Sequence, residues 1–210
     1  GCTGLTSFPS YLNLARGTNF QGAWEGCTGL TSFPAVTVSN HADDDINFGS
    51  TWKDCTALTT FPALNLSRGT NFQTAWSGDA AMTSFGACTF STHADDDVSF
   101  NTAWGNTGIT SFPALNLSRG TNFNAAWSSM PDMTTFGACT FSTTGSDDID
   151  FQWAWYNCPS LTSFPVLDLS RGTNFSNAWR NCDNASFTSF PAVTFSDAGS
   201  DDINFTSAWQ

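Results

Sequence analysis

The chain has 210 residues, a formal net charge of −12 and only 6 Lys and Arg residues in total. So few basic side chains argue against a nucleic-acid-binding protein, because contacts to phosphate depend on Lys and Arg. No apolar run approaches the roughly 18 residues of a membrane-spanning helix. Aromatic residues make up 15 % of the chain, which argues against intrinsic disorder and favours a packed core.

An internal repeat dominates the sequence. The tetrapeptide Leu-Thr-Ser-Phe, or a close variant, occurs eight times and begins at Leu5, Leu30, Leu58, Met82, Ile109, Met133, Leu161 and Phe187. The Phe residues that end these tetrapeptides form a first column: Phe8, Phe33, Phe61, Phe85, Phe112, Phe136, Phe164 and Phe190. A second column follows in each unit, at Phe20, Phe48, Phe72, Phe100, Phe123, Phe151, Phe175 and Phe205. A Trp comes four residues after each of these, at Trp24, Trp52, Trp76, Trp104, Trp127, Trp155, Trp179 and Trp209.

Short and long units alternate along the chain. Short units carry Arg-Gly-Thr-Asn-Phe, as at 68–72, and long units carry an acidic run, as at 43–48. One unit of each kind makes a super-repeat of about 52 residues, and the four super-repeats cover about 1–54, 55–106, 107–157 and 158–210. Because no linker interrupts them, we predict a single solenoid domain over residues 1–210, with eight coils of 24–28 residues.

Each coil is expected to contain one short strand and one helical turn. Leu64 and Leu66 alternate with polar neighbours, which predicts an inward-facing strand. Phe72 and Trp76 are four residues apart, which places them on one face of a helical turn, and Gly69 marks a corner between strand and turn. Only stacked coils can bury so many apolar side chains. The residues assigned to the stacked core are Phe61, Phe72, Trp76, Trp104, Trp127 and Trp179.

The repeat resembles a known family. The spacing Phe61-x-x-Leu64-x-Leu66 resembles the strand signature of leucine-rich repeats. The phrase Trp-x-x-Cys-x-x-Leu-Thr-Thr-Phe-Pro at 52–62 is similar to the BspA-like leucine-rich repeats of microbial surface proteins, and the resemblance covers the whole chain. It implies a leucine-rich-repeat-like parallel β-solenoid, at the cell surface or outside the cell, that acts in display, adhesion or binding. The chain departs from the family in its Trp column, its displaced Asn ladder and its acidic insertion.

The two ends of the sequence join in register. Trp209-Gln210 followed by Gly1-Cys2-Thr3-Gly4-Leu5 reads like the internal junction at 24–30. We therefore expect the 210 residues to be one period of a longer stack. The stack continues either within a longer tandem-repeat chain or by head-to-tail association of copies, which makes open fibres. The alternative is an arbitrary segment of a longer repeat domain. The expected assembly junction comprises Trp209, Gln210, Gly1, Cys2 and Leu5.

Charges are segregated between the two kinds of unit. The short units carry the basic residues Arg16, Arg68, Arg119 and Arg171. The long units carry Asp43, Asp44, Asp45, Asp95, Asp96, Asp97, Asp147, Asp148, Asp201 and Asp202. Because the units alternate, each Arg is expected to lie between two acidic corners and to set the register of the coils through ion pairs. The surplus carboxylates are candidate ligands for calcium, the one possible cofactor. Alternatively, these Asp residues cap turns or remain solvated.

Cysteines and glycosylation motifs recur with the repeat. Five of the 7 Cys residues share one column, where neighbouring coils allow either disulfides or free buried thiols: Cys2, Cys27, Cys55, Cys158 and Cys182. Asn-x-Ser/Thr motifs are candidate acceptors for N-linked sugars. They occur at Asn65, Asn116, Asn174, Asn184 and Asn204.

Catalysis is not expected, because the two His residues, His41 and His93, belong to the repeat and to no unique constellation. We expect a structural repeat unit of an extracellular filament or surface fibre, whose partner is the chain itself. The alternative is an adhesin or phage-fibre-type binding module that recognises glycans or a surface protein. Trp153, which lies outside the Trp column, is then the best candidate for an exposed contact. Neither function involves nucleic acid or membrane insertion.

Overall fold

A computed structural model describes residues 1–9, 12–41, 45–144, 148–195 and 202–210. Within these ranges the chain forms short strands joined by turns, and all strand pairings are parallel. The arrangement is a parallel β-solenoid, which confirms this part of the expected architecture. The strands are β1 (Asn13–Leu14), β2 (Thr37–Val38), β3 (Ile46–Asn47), β4 (Thr60–Phe61), β5 (Gly69–Asn71), β6 (Ser84–Phe85), β7 (Val98–Ser99), β8 (Ser111–Phe112), β9 (Gly120–Asn122), β10 (Thr135–Phe136), β11 (Ile149–Asp150) and β12 (Gly172–Asn174).

The largest sheet has six strands in the order β12-β11-β9-β7-β5-β3. Ile46 of β3 pairs with Gly69 of β5, so successive repeat units contribute neighbouring strands. The first and last units join this sheet only through single bridges, Asn19 to Asn47 and Asn174 to Asn204. Counted by strands of the main sheet, the regular solenoid therefore has six coils, fewer than the eight expected from the sequence. The two outer units, each with a neighbour on one side only, do not contribute a full strand to this sheet.

The main sheet lies beside the second Phe column and not at the alternating segment that predicts a strand. Gly69, expected at a corner, begins strand β5, and a Cβ there would collide with the ring of Phe72. Glycine is required because the ring packs directly on the backbone. Leu64 and Leu66 are buried as expected, although their segment pairs with the next unit through one bridge, Asn65 to Thr89.

The prediction of helical turns is wrong, since no helix occurs among the residues that the structure describes. Between Phe48 and Asp54 the chain makes successive β-turns, in which the N–H of Thr51 donates to the oxygen of Phe48 at 3.2 Å. Ser50 and Asp54 have φ of 53° and 58°, as the third position of a type II turn requires. A helix would use each N–H within its own coil, whereas these turns leave every second N–H for the next coil. We call 20–26, 48–54, 72–78, 100–106, 123–129, 151–157, 175–181 and 205–210 the Phe–Trp turns.

Parallel aromatic ladders form the core along the solenoid axis. Successive Trp rings stack with centroids 5.2–5.7 Å apart. Second-column Phe rings stack beside them, as Phe72 does on Phe100 at 5.3 Å. First-column rings meet the Trp rings edge to face, as Phe61 meets Trp76 at an angle of 74°. Each predicted core residue is buried, because coils cover it on both sides: Phe61, Phe72, Trp76, Trp104, Trp127 and Trp179.

Candidate functional site

The backbone hydrogen bonds between successive Phe–Trp turns run in one direction. The N–H groups of Phe48, Ser50 and Trp52 donate to carbonyl oxygens of the following turn at 2.8–2.9 Å. The same pattern recurs at all seven junctions between the eight turns. Each turn therefore directs N–H groups toward the C-terminal side of the solenoid and receives bonds on its N-terminal side. This continuous set of bonds is the turn ladder.

An Asn or Asp precedes the second-column Phe in seven of the eight units, and sequence reasoning missed its role. The Oδ1 atom of Asn71 accepts the N–H of Gln73 at 3.0 Å, and its Nδ2 donates to Asn47 at 3.0 Å. The side chain thus caps its own turn and bonds to the preceding coil. The recurrence of the Asn-Phe dipeptide is the feature of the sequence that could have indicated this capping role. Equivalent caps occur at Asn19, Asn47, Asn122, Asp150, Asn174 and Asn204.

The last Phe–Trp turn leaves an open aromatic surface. Trp209 stacks on Trp179 at 5.2 Å and is 52 % exposed, whereas Trp179 itself is 1 % exposed. A cleft of about 220 Å³ lies beside it, lined in part by Phe187 and Phe190. Apolar rings open to solvent in this way make this face a candidate interaction surface. The C-terminal end face comprises Phe205, Ser207, Trp209 and Gln210.

The first unit presents the opposite surface. Leu5 is half-buried, although its inner counterpart Leu58 is fully buried. Gly1 lies against Gly26, since a Cβ built on Gly26 would be 3.5 Å from the Cα of Gly1. A Cβ built on Gly78, the equivalent of Gly26, would be 3.7 Å from the Cα of Asp54, which ends the preceding Phe–Trp turn. Gly1 therefore lies where the end of a preceding Phe–Trp turn would lie. The N-terminal end face comprises Gly1, Cys2, Leu5 and residues 19–25.

The predicted assembly junction is therefore divided within one chain. Its residues do not meet, because the two end faces lie on opposite sides of the stacked coils. One side carries Trp209 and Gln210, and the other carries Gly1, Cys2 and Leu5.

Among the described residues, the predicted register residues Arg68 and Arg119 contact acidic side chains of the preceding unit. The Nη2 atom of Arg68 lies 3.9 Å from Asp45, and that of Arg119 lies 3.9 Å from Asp97. Arg119 also donates from Nε to the backbone oxygen of Asp96 at 2.9 Å. Because Asp45 and Asp97 are exposed, each ion pair is worth at most about 1 kcal/mol. Of the other two predicted register residues, Arg16 is exposed and Arg171 is half-buried.

The acidic corner of the fourth unit is organised around one side chain. Asp96 is buried, accepts a hydrogen bond from the Ser91 hydroxyl and lies 4.0 Å from His93 Nδ1. Among the residues that the structure describes, no three His, Cys, Asp or Glu side chains converge to hold a metal ion. The candidate ligands found exposed are Asp45, Asp95, Asp97, Asp148 and Asp202. Calcium binding stays a prediction, since four candidates lie outside the described residues: Asp43, Asp44, Asp147 and Asp201.

All seven cysteines are free thiols. Burial raises the pKa of the Cys55 thiol to about 12, and burial likewise raises the pKa of Cys139 to about 12. Thiolate is the nucleophile, so these side chains are packing residues and not reactive ones. The predicted column is buried or half-buried except at its exposed first member: Cys2, Cys27, Cys55, Cys158 and Cys182.

Asp79 takes the place of cysteine in the fourth unit and is fully buried. Its Oδ1 atom accepts the N–H of Cys55 at 2.8 Å, while its Oδ2 atom is buried without a hydrogen-bond partner. Burial raises the pKa of Asp79 well above its usual range, and the nearby Asp54 carboxylate raises it further. Burial therefore favours the protonated form of this carboxyl group in the folded protein.

The glycosylation candidates all cap local turns. Asn65 and Asn116 are exposed, and each accepts the backbone N–H two residues later at 3.1 Å. Asn184, which is half-buried, does the same at 2.8 Å. The side chains of Asn174 and Asn204 are joined to each other at 3.3 Å. Attachment of sugar at the first two sites would therefore disturb the coil-to-coil contacts least.

Trp153 breaks the pattern of the solenoid surface. It is 43 % exposed and has φ of 54°, a conformation that bulky residues rarely adopt. Other units place Gly, Ser, Thr, Ala or Asn at this position of the Phe–Trp turn. Trp153, Tyr156 and Arg180 line a cleft of about 380 Å³ above Ala125 and Ser129. The structure thus confirms that Trp153 is exposed and places polar groups around it.

No protein-family model, no curated protein and no solved structure matches this chain. The resemblance to BspA-like repeats accordingly stays a prediction from the sequence. Within the described parts of the chain, no helix has both the length and the apolar character needed to cross a membrane.

Proposed function

We propose that the chain is a structural repeat unit of an extracellular filament or surface fibre, in which solenoids stack end to end. One observation carries this proposal: the aromatic ladder runs through the described solenoid and is open at both end faces. Another coil of the same kind covers these faces with contacts that the molecule already uses internally. Repeated contact between two different faces produces an open fibre when the rotation from one copy to the next does not bring the chain of copies back on itself.

The remaining surface supports a structural role. Predicted register residues contact acidic side chains across coils, and the side chains of the Asn caps connect neighbouring turns. The BspA-like resemblance supports a place at the cell surface or outside the cell. A non-catalytic role belongs to this proposal, as do calcium at the acidic corners and sugar at the outward-facing Asn65 and Asn116.

The test is electron microscopy of the purified 210-residue chain across a concentration series. We expect unbranched rods of uniform width that lengthen as the concentration rises. Static light scattering provides a second readout of mass. A preparation that contains only single units at every concentration would contradict self-stacking.

A second candidate function, recognition of glycans, is favoured by the cleft at Trp153. An exposed indole beside Tyr156 and Arg180 offers a flat apolar surface edged by hydrogen-bonding groups. Binding to an immobilised glycan panel should be lost in Trp153→Ala and kept in Val166→Ala, which removes another exposed apolar side chain. Equal binding by both variants would remove this candidate.

A further inference from the structure

The turn ladder ends in a row of unpaired donors at the C-terminal end face. Within the described residues, three backbone N–H groups make no hydrogen bond: those of Phe205, Ser207 and Trp209. Their counterparts one unit earlier donate to the last turn at 2.8–2.9 Å: Phe175, Asn177 and Trp179. The end face therefore exposes donors whose spacing fits one further turn of this fold.

The N-terminal end face carries the matching acceptors. Three carbonyl oxygens accept no hydrogen bond within the described residues: those of Asn19, Gln21 and Ala23. Their counterparts in the next turn each accept a bond at 2.8–2.9 Å: Asn47, Gly49 and Thr51. One end of the ladder thus offers only N–H groups, and the other offers only oxygens.

We propose that a second copy of this chain docks its N-terminal end face on the C-terminal end face of the first, and only with this polarity. This inference rests on the proposed function and specifies the partner and its orientation. Three bonds form across the junction: Phe205 N–H to Asn19 O, Ser207 N–H to Gln21 O, and Trp209 N–H to Ala23 O. The exposed ring of Trp209 then stacks on Trp24 of the second copy.

The position of Gly1 completes the junction. In the ladder the fourth donor of each turn lies six residues after the second-column Phe, as Gly26 does after Phe20. Gly1 of the docking copy already lies beside Gly26 in the place of such a residue.

Pairing of like ends is unfavourable for a physical reason. Two C-terminal end faces would bury N–H groups against N–H groups, and two N-terminal end faces would bury oxygens against oxygens. Each polar group buried without a partner costs about 1–3 kcal/mol. Six unpaired groups per junction outweigh what the stacked rings contribute, because an aromatic pair adds only about 0.5–1.5 kcal/mol beyond its buried area.

The polarity can be tested with two variants that each block one face. Trp209→Glu places a carboxylate on the C-terminal end face, and Ala23→Glu places one on the exposed N-terminal side. Each variant alone should remain monomeric, because it keeps only one usable face. An equimolar mixture should form a heterodimer that grows no further, since it joins the two intact faces. Native mass spectrometry separates the heterodimer from either homodimer by mass.

The control is Val166→Glu, which adds a carboxylate at a 67 % exposed position away from both ends and should assemble like the wild type. Near-ultraviolet circular dichroism checks that each variant keeps its stacked rings. A homodimer of either blocked variant, or a mixture that stays monomeric while the wild type assembles, would overturn the polarity. A wild type that never assembles would instead overturn the proposed function.

Hydrogen exchange on the wild type gives a second test that needs no substitution. The amides of Phe205, Ser207 and Trp209 should exchange rapidly in the monomer and at least tenfold more slowly in the assembly. The amide of Ala208, which donates to Phe205 within its own turn at 3.1 Å, is the internal reference. Unchanged exchange of the three donors in the assembled state would contradict the proposed bonds.

Discussion

The middle units and the end units of this solenoid share one sequence motif but differ in how they are covered. Trp104 stacks between Trp76 and Trp127 and is fully buried, whereas Trp209 has a Trp on one side only and is 52 % exposed. Identical side chains thus have unequal energetic value. Stability in a stacked repeat depends on the interfaces with neighbours more than on the repeat itself.

The largest expected effect is the loss of a middle Trp. Trp104→Ala should destabilise the protein by about 3–5 kcal/mol, because it removes a buried aromatic side chain and leaves a cavity. Trp209→Ala, measured at a concentration where the chain is monomeric, should cost less than about 1.5 kcal/mol. Urea unfolding monitored by circular dichroism gives both values. Equal losses at the two positions would contradict the contrast between middle and end.

Trp104→Phe sharpens the same comparison. The indole Nε1 of Trp104 is buried without a hydrogen-bond partner, as are those of Trp52, Trp76, Trp127, Trp155 and Trp179. Phenylalanine keeps a stacked ring and removes this unpaired donor. Its unfolding free energy should therefore lie closer to that of the wild type than to that of Trp104→Ala.

A middle-sized effect concerns Asp79 and pH. Its pKa is raised by burial in the folded state, while the unfolded chain titrates near the ordinary value of 3.8. Its contribution to stability is therefore complete below about pH 4 and is lost as pH rises through the raised pKa. Relative to wild type, Asp79→Asn should therefore become progressively more stable as the pH rises from 4 to 8.

The matched control for that measurement is Asp132→Asn, which makes the same substitution at an exposed position. Thermal unfolding of the three proteins at several pH values provides the difference. A gap between Asp79→Asn and wild type that does not vary with pH would show that Asp79 is ionised in the fold.

The smallest effect separates an inner Arg from an outer one. Arg119 donates to the backbone of Asp96 and lies near Asp97, so Arg119→Gln should cost about 1 kcal/mol. Arg16, in the first unit, is exposed, and Arg16→Gln should change the unfolding free energy by less than about 0.5 kcal/mol. The difference in unfolding free energy between Arg119→Gln and Arg16→Gln should shrink in high salt, because salt screens the ion pair but not the backbone hydrogen bond.

The sequence was sufficient to predict the columns and the core, but not the backbone that carries them. Recurrence of Phe72 and Trp76 at a fixed spacing predicted stacking directly, because only neighbouring coils can bury such columns. The same spacing suggested a helical turn, which is wrong. Thr74 and Thr102 have φ of 53°, although β-branched residues disfavour this conformation. Backbone hydrogen bonds to the next coil hold Thr74 and Thr102 in this conformation. The sequence of a single unit does not reveal these bonds.

The end faces show the same limit. Matching residues at the two ends predicted a junction, yet the amino-acid sequence does not show which end face carries the free N–H donors and which carries the free carbonyl acceptors. The direction of the turn ladder depends on the φ values of residues such as Ser50 and Asp54. Asn71 likewise recurs in the sequence as part of Arg-Gly-Thr-Asn-Phe, and only the structure shows that it bonds to Asn47.

The one-way direction of the turn ladder also has an electrical consequence. At each of seven junctions, the peptide groups of the turn ladder point their N–H bonds toward the C-terminal end, so the dipoles of these groups add along the axis, although bonds elsewhere in the coils, such as Thr59 N–H to Thr31 O, point the other way. The positive pole of the turn ladder lies at its C-terminal end, opposite in sense to an α-helix. In a polar stack, every added copy extends this dipole in the same direction. Rods of the protein should therefore align in an electric field, with a torque that grows in proportion to their length.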